Sequence, residues 1–182
     1  MNQGEFEQSL LKDVMFKVII ALLALFVSAQ VNAKKVYLEP KQFLKNHFPS
    51  EVPKASKLWV RGEVRDSFKK IMERKGPKLI KYWTEGNKTV WILEEIGKAQ
   101  PITTGYAVEN GQITQVRILI YRETHGYEVR HPTYTKQFEG ATLLEMTKLD
   151  RQIDGISGAT LSHYALQKMA KLALYLDSYV KR

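Results

Sequence analysis

The run Ile102-Thr103-Thr104-Gly105-Tyr106-Ala107-Val108-Glu109-Asn110-Gly111-Gln112-Ile113-Thr114-Gln115-Val116-Arg117-Ile118-Leu119-Ile120-Tyr121 decides the fold. β-Branched and aromatic residues fill both halves, as strands require. Asn110-Gly111 parts them, and Asn-Gly is the strongest short hairpin signal because a tight two-residue turn needs positive φ. In the second half Ile113, Val116, Ile118 and Ile120 show the partial alternation of a half-buried strand. Upstream, Lys78 to Thr84 and Thr89 to Ile96 have the same composition and are separated by Glu85-Gly86-Asn87. The middle of the chain therefore reads as an antiparallel meander of four strands, 78–84, 89–96, 102–109 and 112–121.

Helical signals flank the meander. Pro40 to Phe48 opens on a proline and is followed by Pro49. Val64 to Lys75 is amphipathic and is closed by Gly76-Pro77. Arg122 to Pro132 is polar and reads as a loop, whereas Phe138 to Leu149 fits strand and helix equally. From Ser162 to Tyr179 the helical period returns, with Leu161, Ala165, Met169, Leu172, Leu176 and Tyr179 on one face. The expected class is α+β: a small antiparallel meander with helices packed on one side and a C-terminal amphipathic helix.

Composition narrows the chemistry. The 182 residues, 44% hydrophobic and 26% charged, suit one globular domain with a short appendage. There is no cysteine, which excludes disulfides, thiolate metal sites, iron–sulfur clusters and covalent c-type haem. Redox chemistry would have to come from an organic cofactor or a haem held by other ligands. The formal net charge is +9, spread along the chain without a long basic run. No recognition motif accompanies it, so the expectation is no nucleic acid; an acidic protein partner or an anionic surface fits better.

Val18 to Ala29 carries no charge. A bilayer-spanning helix needs roughly 20 apolar residues, whereas a secretory signal core needs about 7–15. Val31-Asn32-Ala33 then supplies small residues for a signal peptidase, and Lys34-Lys35 follow. Residues 1–33 are expected to be an export signal and residues 34–182 the mature domain. Glu5, Glu7 and Asp13 make a poor signal start, and Met15-Phe16-Lys17 a better one. The alternative is an uncleaved anchor over Met15 to Val31, with Lys17 reaching toward the interface. Either way the domain is expected in the periplasm or on the outer face of the cytoplasmic membrane.

The stretch Asp154-Gly155-Ile156-Ser157-Gly158-Ala159-Thr160-Leu161-Ser162 precedes the last helix. Gly158 and Ala159 are small enough for a bulky ligand to approach the backbone. Thr160 and Ser162 stand at the start of the helix, where unpaired N–H groups and the positive dipole end favour a phosphate. By themselves these residues also describe an ordinary turn and helix start.

The pattern Asp154-x-x-Ser157-Gly158-Ala159-Thr160-x-Ser162 resembles the flavinylation motif of the FMN-binding domain family. That family includes the C-type subunit of the sodium-pumping NADH:quinone oxidoreductase and the G subunit of the Rnf complex. The likeness extends back through Tyr121 to Gly126 and Phe138-Glu139-Gly140, covering roughly 102–179. It implies one FMN bound covalently, its phosphate esterified to Thr160, by a separate flavin transferase that uses FAD and a divalent metal ion. Asp154 matches the acidic position that the transferase recognises. Glu123, Thr124 and Gly126 match the block near the flavin ring.

Other residues are weaker candidates. Tyr127, Tyr134 and Tyr164 could stack on the flavin, and Arg122 or Arg130 could neutralise its phosphate. His125, His131 and His163 have no metal-ligand spacing. No Gly-x-Gly-x-x-Gly fingerprint is present, which argues against direct NADH oxidation. Two functions remain open. One is an electron carrier between membrane or periplasmic partners such as a cytochrome or another flavoprotein. The other is a small terminal reductase acting directly on an extracytoplasmic substrate.

Overall fold

The computed structural model of the chain describes residues 12–20 and 34–182. They fall in two separate units, Met1–Asn32 and Ala33–Arg182. In the first, residues 12–20 are helical and exposed. The remainder of the expected export signal, with its cleavage point, lies outside the described residues. Among the described residues no helix is long and apolar enough to cross a membrane.

The second unit is built on six antiparallel strands: β1 (Lys35–Val36), β2 (Ser56–Trp59), β3 (Leu79–Glu85), β4 (Lys88–Ile96), β5 (Pro101–Glu109) and β6 (Gln112–Tyr121). Their order across the sheet is β1-β6-β5-β4-β3-β2. The four central strands are the expected meander. At the β5–β6 turn Asn110 and Gly111 have φ of 52° and 76°, the double positive-φ arrangement of a type I′ turn. At the β3–β4 turn only the first turn residue, Gly86, is left-handed, with φ 55°. The edge strands β1 and β2 carry no sequence signal; they are two and four residues long.

Register shifts in the β5–β6 ladder fall between Thr103 and Thr104 and between Ala107 and Val108. They explain the imperfect alternation of β6. Ile113, Val116 and Ile118 face one core, while Leu119 and Ile120 turn to the other. A bulge adds one residue to one strand and so exchanges the faces beyond it.

Four helices cover the sheet: α1 (Pro40–His47), α2 (Glu63–Met72), the single turn α3 (Pro132–Thr135) and α4 (Thr160–Val180). The α+β class holds. The two longer helices share one core with the sheet, through Val64, Phe68 and Ile71 of α2 and Leu166, Met169 and Leu172 of α4. The expected one-sided packing does not hold, because the short α1 covers the opposite face, packing Phe43 and Leu44 on Val90, Ala107 and Leu119. Gly105 makes room for this, since a Cβ there would run into the Phe43 ring.

Three further sequence expectations change. Helix α2 stops at Met72 rather than Lys75, because Glu73 adopts a left-handed φ of 58°. The ambiguous 138–149 region becomes a 3-10 turn, Lys136–Phe138, followed by a two-stranded ribbon of β7 (Leu143–Glu145) and β8 (Lys148–Leu149). The apolar face of α4 is wider than a stripe and excludes Leu161, which is 49% exposed. The sheet, α2 and the β7 ribbon all contact α4, so that it buries most of its circumference. Buried Asp177 anchors its C-terminal end, accepting hydrogen bonds from Thr89 Oγ1 at 2.6 Å and from Lys181 Nζ at 2.7 Å.

Candidate functional site at the start of the C-terminal helix

Residues 156–159 form a tight turn closed by the Ala159 amide donating to the Ile156 carbonyl at 3.0 Å. Gly158 occupies its third position with φ 82°, where a type II turn calls for glycine. The chain then enters α4 at Thr160. Among the described residues no side chain caps this helix, and its first backbone ladder bond runs from the His163 amide to the Ala159 carbonyl. The amides of Thr160, Leu161 and Ser162 consequently have no protein acceptor among the described residues. Thr160 itself is exposed.

These residues face a cleft of about 460 Å3 made from three segments. Gly158 to Ser162 supply the helix start. Glu123, Thr124 and His125 follow β6. Lys98 and Ala99 belong to the β4–β5 loop. The structure therefore brings Thr160, Gly158, Ala159, Ser162, Glu123 and Thr124 together, as the sequence motifs require. Gly126 lies behind them with φ 78°. A Cβ there would come 3.0 Å from the Tyr121 hydroxyl, 3.1 Å from Ser162 Oγ and 3.4 Å from Ala159 Cα.

Two of these residues work through the scaffold. The Glu123 carboxylate accepts the backbone amides of Lys98, Ala99 and Gln100, the last two at 2.7 and 2.9 Å. It thereby fixes the loop that presents Lys98. Ser162 is buried, with its Oγ 2.9 Å from the Tyr121 hydroxyl. The single tyrosine proton is donated to the His125 carbonyl at 2.6 Å, so Ser162 is the donor to the tyrosine oxygen. Strand end, loop and helix start are joined at one point. Burial pushes the Tyr121 pKa up to about 12, and the phenol keeps its proton.

The other candidates are elsewhere. Asp154 and Ser157 are exposed and do not line the cleft. The Asp154 amide donates to Gln137 Oε1 at 2.7 Å. Tyr134 is a core residue whose hydroxyl pairs with His163 Nδ1 at 2.8 Å, and His163 Nε2 pairs with Gln167 at 2.8 Å. Arg122 reaches the Pro101 carbonyl and Thr103 Oγ1 rather than the helix start. Arg130 and His131 line a different cleft. Tyr164, one turn beyond Thr160, is 55% exposed, and Tyr127 is 40% exposed. Lys98 escaped sequence reading, since a lysine in a hairpin loop belongs to no pattern until the loop is folded against α4.

The arrangement is suited to an anionic group. Three free amides, the positive end of a long helix and a lysine converge on small residues that admit a bulky ligand. Residues 97–175 match the family model described as FMN-binding domain. The match begins at the loop that carries Lys98 and ends within α4. The matched segment, somewhat under half of the chain, is similar to FMN-binding domains, which supports FMN as its ligand and a flavoprotein as its class. No curated protein matches the chain.

Proposed function

We propose that this is an extracytoplasmic electron-transfer flavoprotein holding one FMN through a phosphoester to Thr160. Electrons would pass between membrane or periplasmic partners, a cytochrome or another flavoprotein. The observation that carries the reading is the exposed Thr160 at the first turn of α4, beside three amides without acceptors and beside Lys98. These groups offset the charge of a phosphodiester held there.

The bond is made by a separate FAD-dependent flavin transferase with a divalent cation. Thr160 Oγ forms a bond to the flavin-side phosphorus of FAD. The pyrophosphate P–O bond breaks, AMP leaves and the hydroxyl proton is released. Exposed Asp154, on the outside of the turn, is available for the transferase to recognise. FMN, once bound, supplies the redox chemistry. The chain's own residues hold and orient it: Gly126 and Ala159 keep side-chain bulk away, and Glu123 holds the Lys98 loop. An uncharged run at Val18 to Ala29 supports export, and a tethered cofactor is not lost by dilution outside the cytoplasm.

Leu161, on the cleft wall, is 49% exposed; Ile96, beside the Lys98 loop, and Tyr164 are each 55% exposed. Apolar side chains beside the cofactor favour docking of a protein partner and hence the carrier reading. Intact-mass measurement after co-expression with a flavin transferase tests the linkage. The expected gain is FMN less one water, kept in Thr160→Ser and lost in Thr160→Ala. An unmodified chain beside an active transferase would remove the covalent reading while leaving FMN binding intact. Rapid reoxidation of the reduced flavin by small acceptors without a protein partner would favour the terminal reductase instead.

A further inference from the structure

A second cleft, of about 430 Å3, opens where the end of α1, the middle of β6 and the turn into α3 meet. It shares no residue with the cleft at Thr160. Arg117 and Arg130 line it together with His47, His131, Asn46 and Gln115, and among the described residues no acidic side chain does.

The two arginines differ from most others in the chain. Arg74, Arg122, Arg151 and Arg182 each lie within ion-pair distance of a carboxylate. Neither Arg117 nor Arg130 has one among the described residues. Arg130 also buries its Nε with no hydrogen-bond partner. Its guanidinium is held over the Tyr37 ring at 4.7 Å and over the Tyr127 ring at 5.6 Å, which orients it without neutralising it. His47 Nε2 stands 3.1 Å from Gln115 Oε1, which leaves the Gln115 amide hydrogens free to donate. The cleft thus has two guanidinium groups and an amide, but no anion of its own.

We infer that this cleft binds a small, multiply charged oxyanion, a polycarboxylate or a phosphate ester, between Arg117 and Arg130. Guanidinium forks match both chemistries in bidentate geometry, and the volume suits a metabolite-sized ligand. The site stands independently of the flavin reading.

Titration of the 15N-labelled full chain, in its flavin-bearing form, with inorganic phosphate, succinate and citrate tests it. Saturable amide shifts are expected at residues 115–117 and 130–132 with at least one probe. The dissociation constant should rise about tenfold or more in Arg130→Gln and in Arg117→Gln. It should stay unchanged in Lys98→Gln, which alters only the cleft at Thr160. Saturation by phosphate alone identifies a phosphate ester, and saturation by succinate or citrate a polycarboxylate. If Arg130→Gln does not fold, the exposed Arg117 carries the comparison. No saturable shift with any probe up to about 10 mM would overturn the inference. So would binding indifferent to both arginine variants, or binding abolished by Lys98→Gln.

Discussion

Gly126 and Gly111 share nearly the same backbone angle, φ 78° and 76°, but not the same surroundings. A Cβ at Gly111 meets nothing within 4 Å, whereas one at Gly126 presses on Tyr121, Ser162 and Ala159. Gly111→Ala should therefore cost only its left-handed backbone, about 1–2 kcal/mol. Gly126→Ala adds a collision at the junction of strand, loop and helix, and should cost roughly 1–3 kcal/mol more. Urea unfolding of the two variants side by side measures the difference; equal losses would mean that the junction yields freely. The turn and helix start at Gly158, Ala159 and Thr160 were legible, because neighbours in the chain shape them. Lys98 and Tyr121 were not, because the first depends on a loop folded against α4 and the second on Ser162, which lies 41 positions away.

Among the elements, α4 departs furthest from its sequence pattern. A single stripe including Leu161 was expected, but contact with the sheet, α2 and the β7 ribbon buries Leu166, Ala170, Ala173, Leu174 and Tyr175 as well. Leu166→Ala, at 0% exposure, is expected to cost about 2–5 kcal/mol, while Leu161→Ala should fall within about 0.5 kcal/mol of the parent. Thermal or chemical denaturation of the pair discriminates the two pictures of the helix. The meander was readable because hairpins are local and their turns have a fixed chemistry. β1 and β2 were not readable, since strands of two and four residues exist only by pairing with β6 and β3. The bulges of β6 appeared in sequence only as a blurred period.

At the scale of the whole molecule, acid sensitivity follows from two histidines. Burial lowers the pKa of both His47 and His163 from the usual 6.5, with Lys88 adding to the effect at His47 and Asp154 opposing it at His163. A base whose folded pKa is depressed takes up its proton more readily when unfolded. Its contribution to stability is complete above about pH 6.5 and is lost as the pH falls toward the folded value. The melting temperature should drop between pH 7 and pH 5, and His47→Gln combined with His163→Gln should flatten that slope. A double variant as acid-sensitive as the parent would assign the effect to other groups. The carboxylates of Glu73 and Asp150, lowered by Lys168 and Arg151 respectively, act only in a more acidic range.

The sheet order has a further consequence, for modularity. The FMN-binding segment begins at Gly97, yet β1 to β4, α1 and α2 all precede it in the chain. A fragment cut at that boundary would keep two of the six strands and lose the layer that seals α4 from water. It would also bare the flank of β5 to other chains. The cofactor segment is thus not a transplantable cassette: what inherits the flavin chemistry must inherit the upstream half of the sheet with it.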